Sequence, residues 1–147
     1  MKEEWLDYNG HMNMGYYLVA FDFHATDPFY EWVGLGEDYI DAGMSVFTVS
    51  TKCNYFAEGF ADDEMVMTTR VLNHDHRRIH YAHTMWRDET DSVRTRVAFN
   101  ECVGVNVDMD TRKSAPFPDE IHRRLAALVE HQATQKMPRE VGRALGL

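Results

Sequence analysis

One segment near the start of the chain constrains the fold more than any other. From Asn13 to Val33, apolar side chains recur at spacings of three and four, which is typical of an α-helix. The recurring positions are Tyr17, Leu18, Phe21, Ala25, Phe29 and Trp32. Many of the remaining positions are also aromatic or small. We therefore predict a helix that is buried on most of its circumference and that another element wraps around.

Two positions in this segment carry recognisable signals, one at its start and one in its interior. Asn13 is a good N-cap, because its side chain can accept a hydrogen bond from an amide of the first turn. Asp27 and Pro28 interrupt the pattern further along. Because proline has no amide to donate and clashes with the preceding turn, we predict a kink or a restart of the helix there.

After Gly43 the spacing of apolar residues changes to alternation, which is typical of β-strands. We predict four strands. The first follows Gly43 and ends near Tyr55, and the other three cover about 64–72, 78–87 and 92–107. One face of the last strand carries Val93, Thr95, Val97, Phe99, Glu101, Val103, Val105 and Val107. Because no helix separates the strands, we expect an antiparallel meander. The result is an α+β fold in which an antiparallel sheet curls around the helix.

The C-terminal part of the chain has a different character. Pro116 and Pro118 close the strand region, and residues 119–131 have the spacing of an amphipathic helix. We expect this helix to pack on or cap the sheet, and we assign no function to the polar tail after it. The predicted division is one α+β domain over 1–118, followed by a helix and tail over 119–147.

Charge and cysteine content exclude several classes of function. The 147-residue chain has 24 acidic and 15 basic residues and a formal net charge of −9. Nucleic-acid binding is driven by clustered Lys and Arg, so we predict no nucleic-acid partner. No stretch approaches the roughly 18 apolar residues of a membrane span, so we predict no membrane partner. Cys53 and Cys102 fit neither a disulfide framework nor a zinc site, and we expect a cytoplasmic protein.

The residues directly before the helix have the composition of an active site. They read Asp7-Tyr-Asn-Gly-His-Met-Asn13 and combine a carboxylate, a turn glycine and a capping asparagine. A helix N-terminus presents unpaired amides, against which a carbonyl can develop negative charge. Asp7 could attack such a carbonyl. Alternatively, Asp7 only stabilises the turn, which is common for Asp before Asn-Gly.

This motif and the order of the elements resemble the hotdog-fold acyl-CoA thioesterases of the 4-hydroxybenzoyl-CoA thioesterase-like branch. Within that branch the chain resembles the thioesterases associated with L-carnitine dehydrogenase, which act on betainyl-CoA. The matching segments are Glu4–Asn13, Phe47–Val49, Asp75–His83 and Ser114–Pro118. The resemblance covers about Trp5 to Pro118. It implies a hotdog fold whose first strand is very short here.

The resemblance also implies a role for the residues of the motif. Asp7 attacks the thioester carbonyl or acts as general base for water. Asn13 fixes the amides of Met14 and Gly15, and the Met14 amide meets the developing oxyanion. Gly10 supplies a positive φ or a close backbone approach.

Histidines occur in two places. His11 could orient Asp7 or a water near neutral pH, or it could hydrogen-bond the loop without touching substrate. The second group is His74, His76, His80 and His83. Its spacing scatters the side chains over a turn and a strand, so we predict no metal site. We expect no other cofactor, since coenzyme A is part of the substrate.

Two groups of side chains are candidates for substrate binding. Arg77 and Arg78, with Asp75, form a local cationic spot that could meet the phosphates of coenzyme A, or else a solvated turn. The aromatic residues near the motif could hold a trimethylammonium group, or they could be core. They are Trp5, Tyr8, Tyr16, Tyr17, Phe21 and Phe23. We predict Tyr8, Tyr17, Arg77 and Arg78 as substrate-binding residues.

Two acids in the strand region remain. Glu58 follows a strand and has the position of an exposed acid. Glu101 interrupts an apolar face and needs a partner, because an unpaired buried carboxylate is costly. We favour an intersubunit salt bridge over a contribution to the site. The resemblance implies a homodimer or a dimer of dimers with the site at the subunit interface, which the apolar strand ending in Val107 would suit.

Overall fold

The chain begins with helices and continues with strands, in the α+β order that the sequence predicts. The structure is a computed structural model that describes residues 2–88 and 93–144. Its helical elements are α1 (Met14–Phe21), a π-helical turn (Asp22–Thr26), α2 (Asp27–Val33), α3 (Glu37–Asp41) and α4 (Asp119–His131). Its strands are β1 (Met44–Tyr55), β2 (Met65–His74), β3 (Arg78–Asp88), β4 (Arg94–Asp108) and β5 (Lys113–Ser114). A single 3-10 turn, Glu3–Trp5, precedes α1.

The long helix passes through Pro28 without a break. The Asp27 amide donates to the Asp22 carbonyl, five residues back, which widens the winding of the helix by one residue. In a regular α-helix the proline ring would clash with the carbonyl four residues earlier and would leave it without a donor. The wider turn removes this conflict. The predicted interruption therefore lies where it was expected, but it takes the form of a π-turn.

The long helix is buried on one side only. The residues on that side are at most 8% exposed, and they are Tyr17, Ala20, Phe21, Ala25, Phe29 and Val33. Phe23 and Trp32 lie on the other side and are 61% and 68% exposed. The expectation of burial on most of the circumference is wrong for the single chain, because one curled sheet covers one side of the helix.

The strands form one antiparallel sheet in the order β1-β4-β3-β2, and β5 pairs with β4. The predicted meander is correct for β2, β3 and β4 but wrong for β1, which pairs with β4. The connection over 56–64 crosses from one edge of the sheet to the other, and nine residues are long enough to pass two strands. Since β4 lies inside the sheet, the strand ending in Val107 is not an edge. The edges are β1 and β2.

The helix packs on the face of β4 that looks polar in the sequence. Small side chains on this face allow a close approach, and a Cβ on Gly104 would lie 3.0 Å from the Tyr30 hydroxyl. The amides on the same face are satisfied internally. Asn100 donates to Thr51 Oγ1 at 2.7 Å, and Asn106 accepts from the Tyr39 hydroxyl at 2.8 Å.

The C-terminal helix α4 has the predicted bounds and packs on the core through Ile121 and Leu125. The tail after it lies on the sheet. Glu140 is 7% exposed and binds both terminal nitrogens of Arg96, at 3.1 and 3.2 Å. The Gly142 amide donates to Glu101. The tail thus belongs to the folded structure.

Glu101 finds its partners within its own chain. Its carboxylate lies 2.7 Å from Lys52 Nζ and 2.8 Å from His80 Nε2. The Lys52 ammonium also donates to the carbonyls of Glu140 and Arg143. The favoured intersubunit salt bridge is therefore wrong, because β1, β3 and the tail together satisfy this carboxylate.

His83 is fully buried at the centre of the interface between sheet and helix. Its Nδ1 lies 2.9 Å from Thr69 Oγ1, and its Nε2 lies 3.1 Å from Thr26 Oγ1, in the π-turn. Burial lowers the pKa of His83 to about 4. The ring is therefore neutral at physiological pH and links the helix to the edge strand β2.

The lowered pKa of His83 predicts that the folded protein loses stability in acid. The unfolded chain takes up the proton near pH 6.5, whereas the folded chain takes it up only near the lowered pKa of about 4. The contribution of neutral His83 to the free energy of unfolding is fully present above pH 6.5, and the free energy of unfolding falls by up to about 3 kcal/mol as the pH drops to 4. We expect urea unfolding at pH 7 and 4.5 to show a smaller difference for His83→Gln than for the wild type. The exposed His76→Gln is the control and should keep the wild-type difference. Equal pH dependence in all three proteins would contradict this account of His83.

Candidate active site

The segment before the long helix is a tight turn built around Asp7. The Gly10 amide donates to the Asp7 carbonyl at 3.0 Å, and the Asp7 amide donates to the His11 carbonyl at 2.8 Å. Gly10 has a φ of 76°, so the predicted positive φ is confirmed. Asp7 Oδ1 accepts from the amides of Asn9 at 2.7 Å and His11 at 3.4 Å. Within the described part of the chain, Asp7 Oδ2 has no hydrogen-bond donor, so one oxygen holds the turn and the other is available for chemistry.

The first turn of the helix leaves one amide open. Asn13 Oδ1 accepts from the Gly15 amide at 3.0 Å, which confirms the predicted N-cap, and the Asn13 carbonyl accepts from the Tyr16 amide at 2.9 Å. No acceptor for the Met14 amide lies among residues 2–88 and 93–144. This open amide is the group that can donate to an oxyanion, and the helix dipole reinforces it.

One main-chain hydrogen bond joins the turn to the loop after β1, and a second joins it to the 3-10 turn at the start of the chain. The Met12 amide donates to the Gly59 carbonyl at 2.8 Å, and the Asn13 amide donates to the Trp5 carbonyl at 2.9 Å. A single bridge between Leu6 and Met12 stands where a first strand would be. The turn therefore lies against the loop after β1.

A groove of about 580 Å³ opens between the turn, the helix N-terminus and this loop. Its lining includes Asp7, Tyr8, His11, Met14, Tyr55 and Glu58. The structure thus places the Asp7 carboxylate and the first residue of the helix in one groove. Neither Lys nor Arg is among the residues that line it.

His11 contacts a carboxylate other than that of Asp7. Its Nδ1 lies 3.3 Å from Glu58 Oε1, and its ring meets Phe60 edge-on with the centroids 5.1 Å apart. Only its backbone amide reaches the Asp7 side chain. The sequence gives Glu58 the position of an exposed acid, and the structure shows that it lines the groove. Its position after a strand and before Gly59 was the only signal, and it did not reveal the contact with His11.

Two tyrosines form a wall of the groove. The rings of Tyr17 and Tyr55 meet edge-on with the centroids 5.0 Å apart, and the Tyr55 hydroxyl donates to the Met14 carbonyl at 3.2 Å. Burial raises the pKa of Tyr17. Burial, together with the nearby Cys53 thiol, raises the pKa of Tyr55 to about 12. Both phenols therefore remain protonated at neutral pH, and Tyr55 is a second lining residue that the sequence did not reveal.

The other aromatic candidates are distributed over the molecule. Tyr8 lines the groove but is 98% exposed. Trp5 stacks on Tyr16 with the centroids 5.8 Å apart and lines a separate cavity of about 310 Å³. Phe21 is core, and Phe23 lies exposed on the outer side of the helix. Within one chain, Tyr8 and Tyr17 are therefore the members of the predicted aromatic group that line the groove.

The arginine pair lies at the opposite end of the sheet. Arg78 faces the β4 residue that pairs with Phe47, eight residues from Tyr55 along β1. This separation is roughly 26 Å at the rise of an extended strand. Arg77 donates to Ser114, and Arg78 binds Asp75. Within one chain the pair does not reach the groove.

The histidines of the second group also serve different neighbours. The rings of His74 and His76 pack on His122, and His80 and His83 have the partners described above. Within the described ranges, no group of three or more His, Cys, Asp or Glu side chains is arranged to hold a metal ion. In the same ranges, no helix is long and apolar enough to cross a bilayer.

The sequence as a whole identifies the family. A model of the thioesterase-like superfamily matches residues 2–125. The chain belongs to this superfamily. The betainyl-CoA thioesterase of Pseudomonas aeruginosa is 34% identical over 145 residues, which cover 98% of this chain and 89% of that protein. The L-carnitine dehydrogenase/betainyl-CoA thioesterase of Ruegeria pomeroyi is 34% identical over 142 residues, which cover 97% of this chain and 28% of that longer protein.

Solved structures of two other proteins have the same fold. A putative thioesterase from Pseudomonas putida KT2440 is 32% identical with a TM-score of 0.83, and the match covers 100% of this chain and 92% of that one. A Staphylococcus aureus protein solved in complex with CoA is 23% identical with a TM-score of 0.89, covering 100% and 90% of the two chains. The predicted hotdog fold is confirmed, and so is the resemblance to thioesterases.

Asn13 gives the first test of this thioesterase site. Asn13→Ala removes the acceptor that holds the first turn, so we expect unfolding to cost about 1 kcal/mol less. If the turn aligns the Met14 amide with the oxyanion, kcat should fall while KM changes little, by up to the roughly 100-fold seen for a lost oxyanion donor. Thioester hydrolysis and thermal melting measure the two effects.

The matched control is Asn13→Ser, because serine also caps helices. It should retain most of the stability and most of kcat. A normal kcat in Asn13→Ala would contradict the role of this cap in aligning the Met14 amide.

Proposed function

We propose that this thioesterase hydrolyses betainyl-CoA to betaine and coenzyme A, with Asp7 and the Met14 amide as its catalytic groups. The observation that carries the proposal is that the open Asp7 Oδ2 and the open Met14 amide belong to one groove. A carboxylate beside an unpaired helix amide can attack a carbonyl while the amide stabilises the charge that develops.

Two routes use these groups. In the first, Asp7 Oδ2 forms a bond to the carbonyl carbon, the tetrahedral oxyanion accepts from the Met14 amide, and the C–S bond then breaks. CoA leaves as a thiolate that takes up a proton, and water hydrolyses the resulting mixed anhydride to restore Asp7. In the second, Asp7 removes a proton from a water that attacks the carbonyl directly, the C–S bond of the tetrahedral intermediate breaks, and the CoA thiolate takes up the proton from Asp7. Neither route needs a metal or a redox cofactor.

The acyl group is proposed from the relatives and from the charge of the groove. Two relatives that are each 34% identical bear the name betainyl-CoA thioesterase. A groove with two carboxylates and no Lys or Arg in its lining suits a cationic acyl group. The alternatives are neutral aliphatic or aromatic acyl-CoAs, and a noncatalytic module that binds acyl-CoA or mediates dimerisation.

Replacement of Asp7 tests catalysis. Asp7→Asn retains an oxygen for the turn but supplies neither a nucleophile nor a base, so we expect hydrolysis to fall by at least about 1000-fold. Binding of the CoA thioester should persist. Release of free thiol from betainyl-, acetyl-, octanoyl- and benzoyl-CoA measures turnover, and isothermal titration with the variant measures binding.

Each outcome has a distinct meaning. Asn9→Ala removes neither carboxylate nor cap, and it is the matched control that should remain active. Hydrolysis of only the neutral thioesters would contradict betainyl-CoA as substrate. Full activity of Asp7→Asn would contradict the catalytic role of Asp7, and no hydrolysis by the wild type would favour the binding module.

We propose that the protein acts in the cytoplasm as a homodimer, or a dimer of dimers, joined along β1. The β2 edge is covered, because the Gln132 side chain accepts from the Val71 amide and donates to the Thr69 carbonyl. The β1 edge exposes Phe47 and Val49, which are 37% and 60% accessible. An open, apolar edge strand favours pairing with another chain. A second copy is also the means by which Arg77 and Arg78 could reach a groove.

Charge on this edge tests the proposed dimer. Val49→Lys places an ammonium group on the exposed edge strand, so we expect it to convert the dimer to a monomer and to lower activity. Val93→Lys is the matched control, because Val93 is 56% exposed but lies outside β1. Sedimentation velocity gives the oligomeric state. A wild-type monomer, or a Val49→Lys dimer as stable as the wild type, would contradict pairing along β1.

A further inference from the structure

We propose that Glu58 selects for a cationic acyl group, with the Tyr17 and Tyr55 rings as the aromatic wall beside it. The proposal rests on the proposed function and names a specificity residue for the same groove. Glu58 is distinct from the groups that carry the chemistry, because its role is to attract the charge of the acyl group.

The charges of the groove single out Glu58. The ionisable side chains in the lining are two carboxylates, one imidazole and three phenols, which belong to Asp7, Glu58, His11, Tyr8, Tyr17 and Tyr55. Asp7 is committed to the turn and to the thioester carbonyl. Glu58 is the remaining carboxylate, and its side chain is 63% exposed and meets the imidazole of His11 at 3.3 Å.

The Glu58 loop is held in place from several sides. Arg87 Nη1 donates to the Glu58 carbonyl at 2.9 Å, and the Met12 amide donates to the next carbonyl, that of Gly59, at 2.8 Å. These bonds fix the main chain on both sides of the carboxylate, so the charge has a defined position at the groove.

The aromatic wall adjoins the oxyanion amide. The Tyr55 hydroxyl donates to the Met14 carbonyl, so the ring is anchored to the same residue whose amide is open. The Tyr17 ring meets it edge-on. A betainyl group carries its charge one methylene away from the thioester carbonyl. When that carbonyl is at the Met14 amide, the charge lies in the groove that these rings and Glu58 also line.

The chemistry of a quaternary ammonium suits this arrangement. Such a group has no N–H to donate, so it is recognised through its charge and through contact of its methyl groups with aromatic faces. A carboxylate at its side attracts the charge, and the tyrosine rings contact the methyl groups. Because Glu58 is exposed, water screens the attraction, and we expect about a fivefold effect on recognition.

The decisive experiment uses two thioesters of the same shape. Betainyl-CoA and 3,3-dimethylbutanoyl-CoA differ only in a quaternary nitrogen replaced by carbon. We expect the wild type to have the higher kcat/KM for betainyl-CoA. The preference is the kcat/KM for betainyl-CoA divided by the kcat/KM for 3,3-dimethylbutanoyl-CoA. In Glu58→Gln this preference should fall about fivefold or more, while kcat/KM for the neutral thioester stays within twofold. Glu64→Gln is the matched control, since Glu64 is exposed in the same connection but does not line the groove.

Three further variants test the interpretation. Glu58→Asp keeps the charge and should keep most of the preference, and it serves if Glu58→Gln unfolds. Tyr55→Phe keeps the ring and should also keep the preference, whereas Tyr55→Leu should lose part of it.

The remaining outcomes overturn the proposal. An equal loss on both thioesters in Glu58→Gln would mean that Glu58 positions His11 or the loop and does not read the charge. A wild-type enzyme without preference for betainyl-CoA would overturn it too, while leaving thioester hydrolysis intact. No hydrolysis of either thioester by the wild type would instead contradict the proposed function itself.

Discussion

The candidate site depends on one main-chain hydrogen bond, from the Met12 amide to the Gly59 carbonyl. It joins the turn before the helix to the loop after β1, two segments that are far apart in the sequence. One wall of the groove, with Asp7 and His11, comes from the turn, and the other, with Glu58, comes from the loop. Since the first strand is reduced to a single bridge, this bond has few alternatives for holding the turn on the sheet. The position of the Asp7 carboxylate therefore follows from a contact between main-chain atoms, which no side chain in the sequence indicates.

Local features of the fold were predictable and long-range ones were not. The Asn13 cap and the bounds of α4 follow from residue types within a few positions, because capping and helical spacing act locally. The pairing of β1 with β4 does not, because alternation indicates a strand without indicating its neighbour. The sequence pattern also did not predict which side of β4 faces the helix. Gly104 is needed there for close approach, and Asn100 is acceptable there only because Thr51 satisfies it.

The same distinction holds within the site. The turn glycine, the cap and the Asp7 carboxylate are contiguous, so the sequence shows them as one motif. Tyr55 and Glu58 join them only through folding, and an acid next to a glycine in a loop has no feature that marks it as functional. The position of Arg78 follows from register, because a residue that pairs at the far end of β4 is distant from the groove whatever its charge.

The π-turn shows how a packing requirement can override regular winding. The buried strip of the helix includes Tyr17, Phe21, Ala25, Phe29 and Val33, each four residues after the last. In a straight α-helix, a step of four rotates the side chain by about 40°, so the strip would drift by roughly 160° and leave the sheet. One extra residue in the turn over 22–26 reduces this drift to roughly 60°. The spacing of four thus requires a wider turn somewhere in the helix, and Pro28 selects the place, because it cannot accept the regular hydrogen-bonding pattern. The spacing of the buried strip and the position of the proline together explain the winding of this helix.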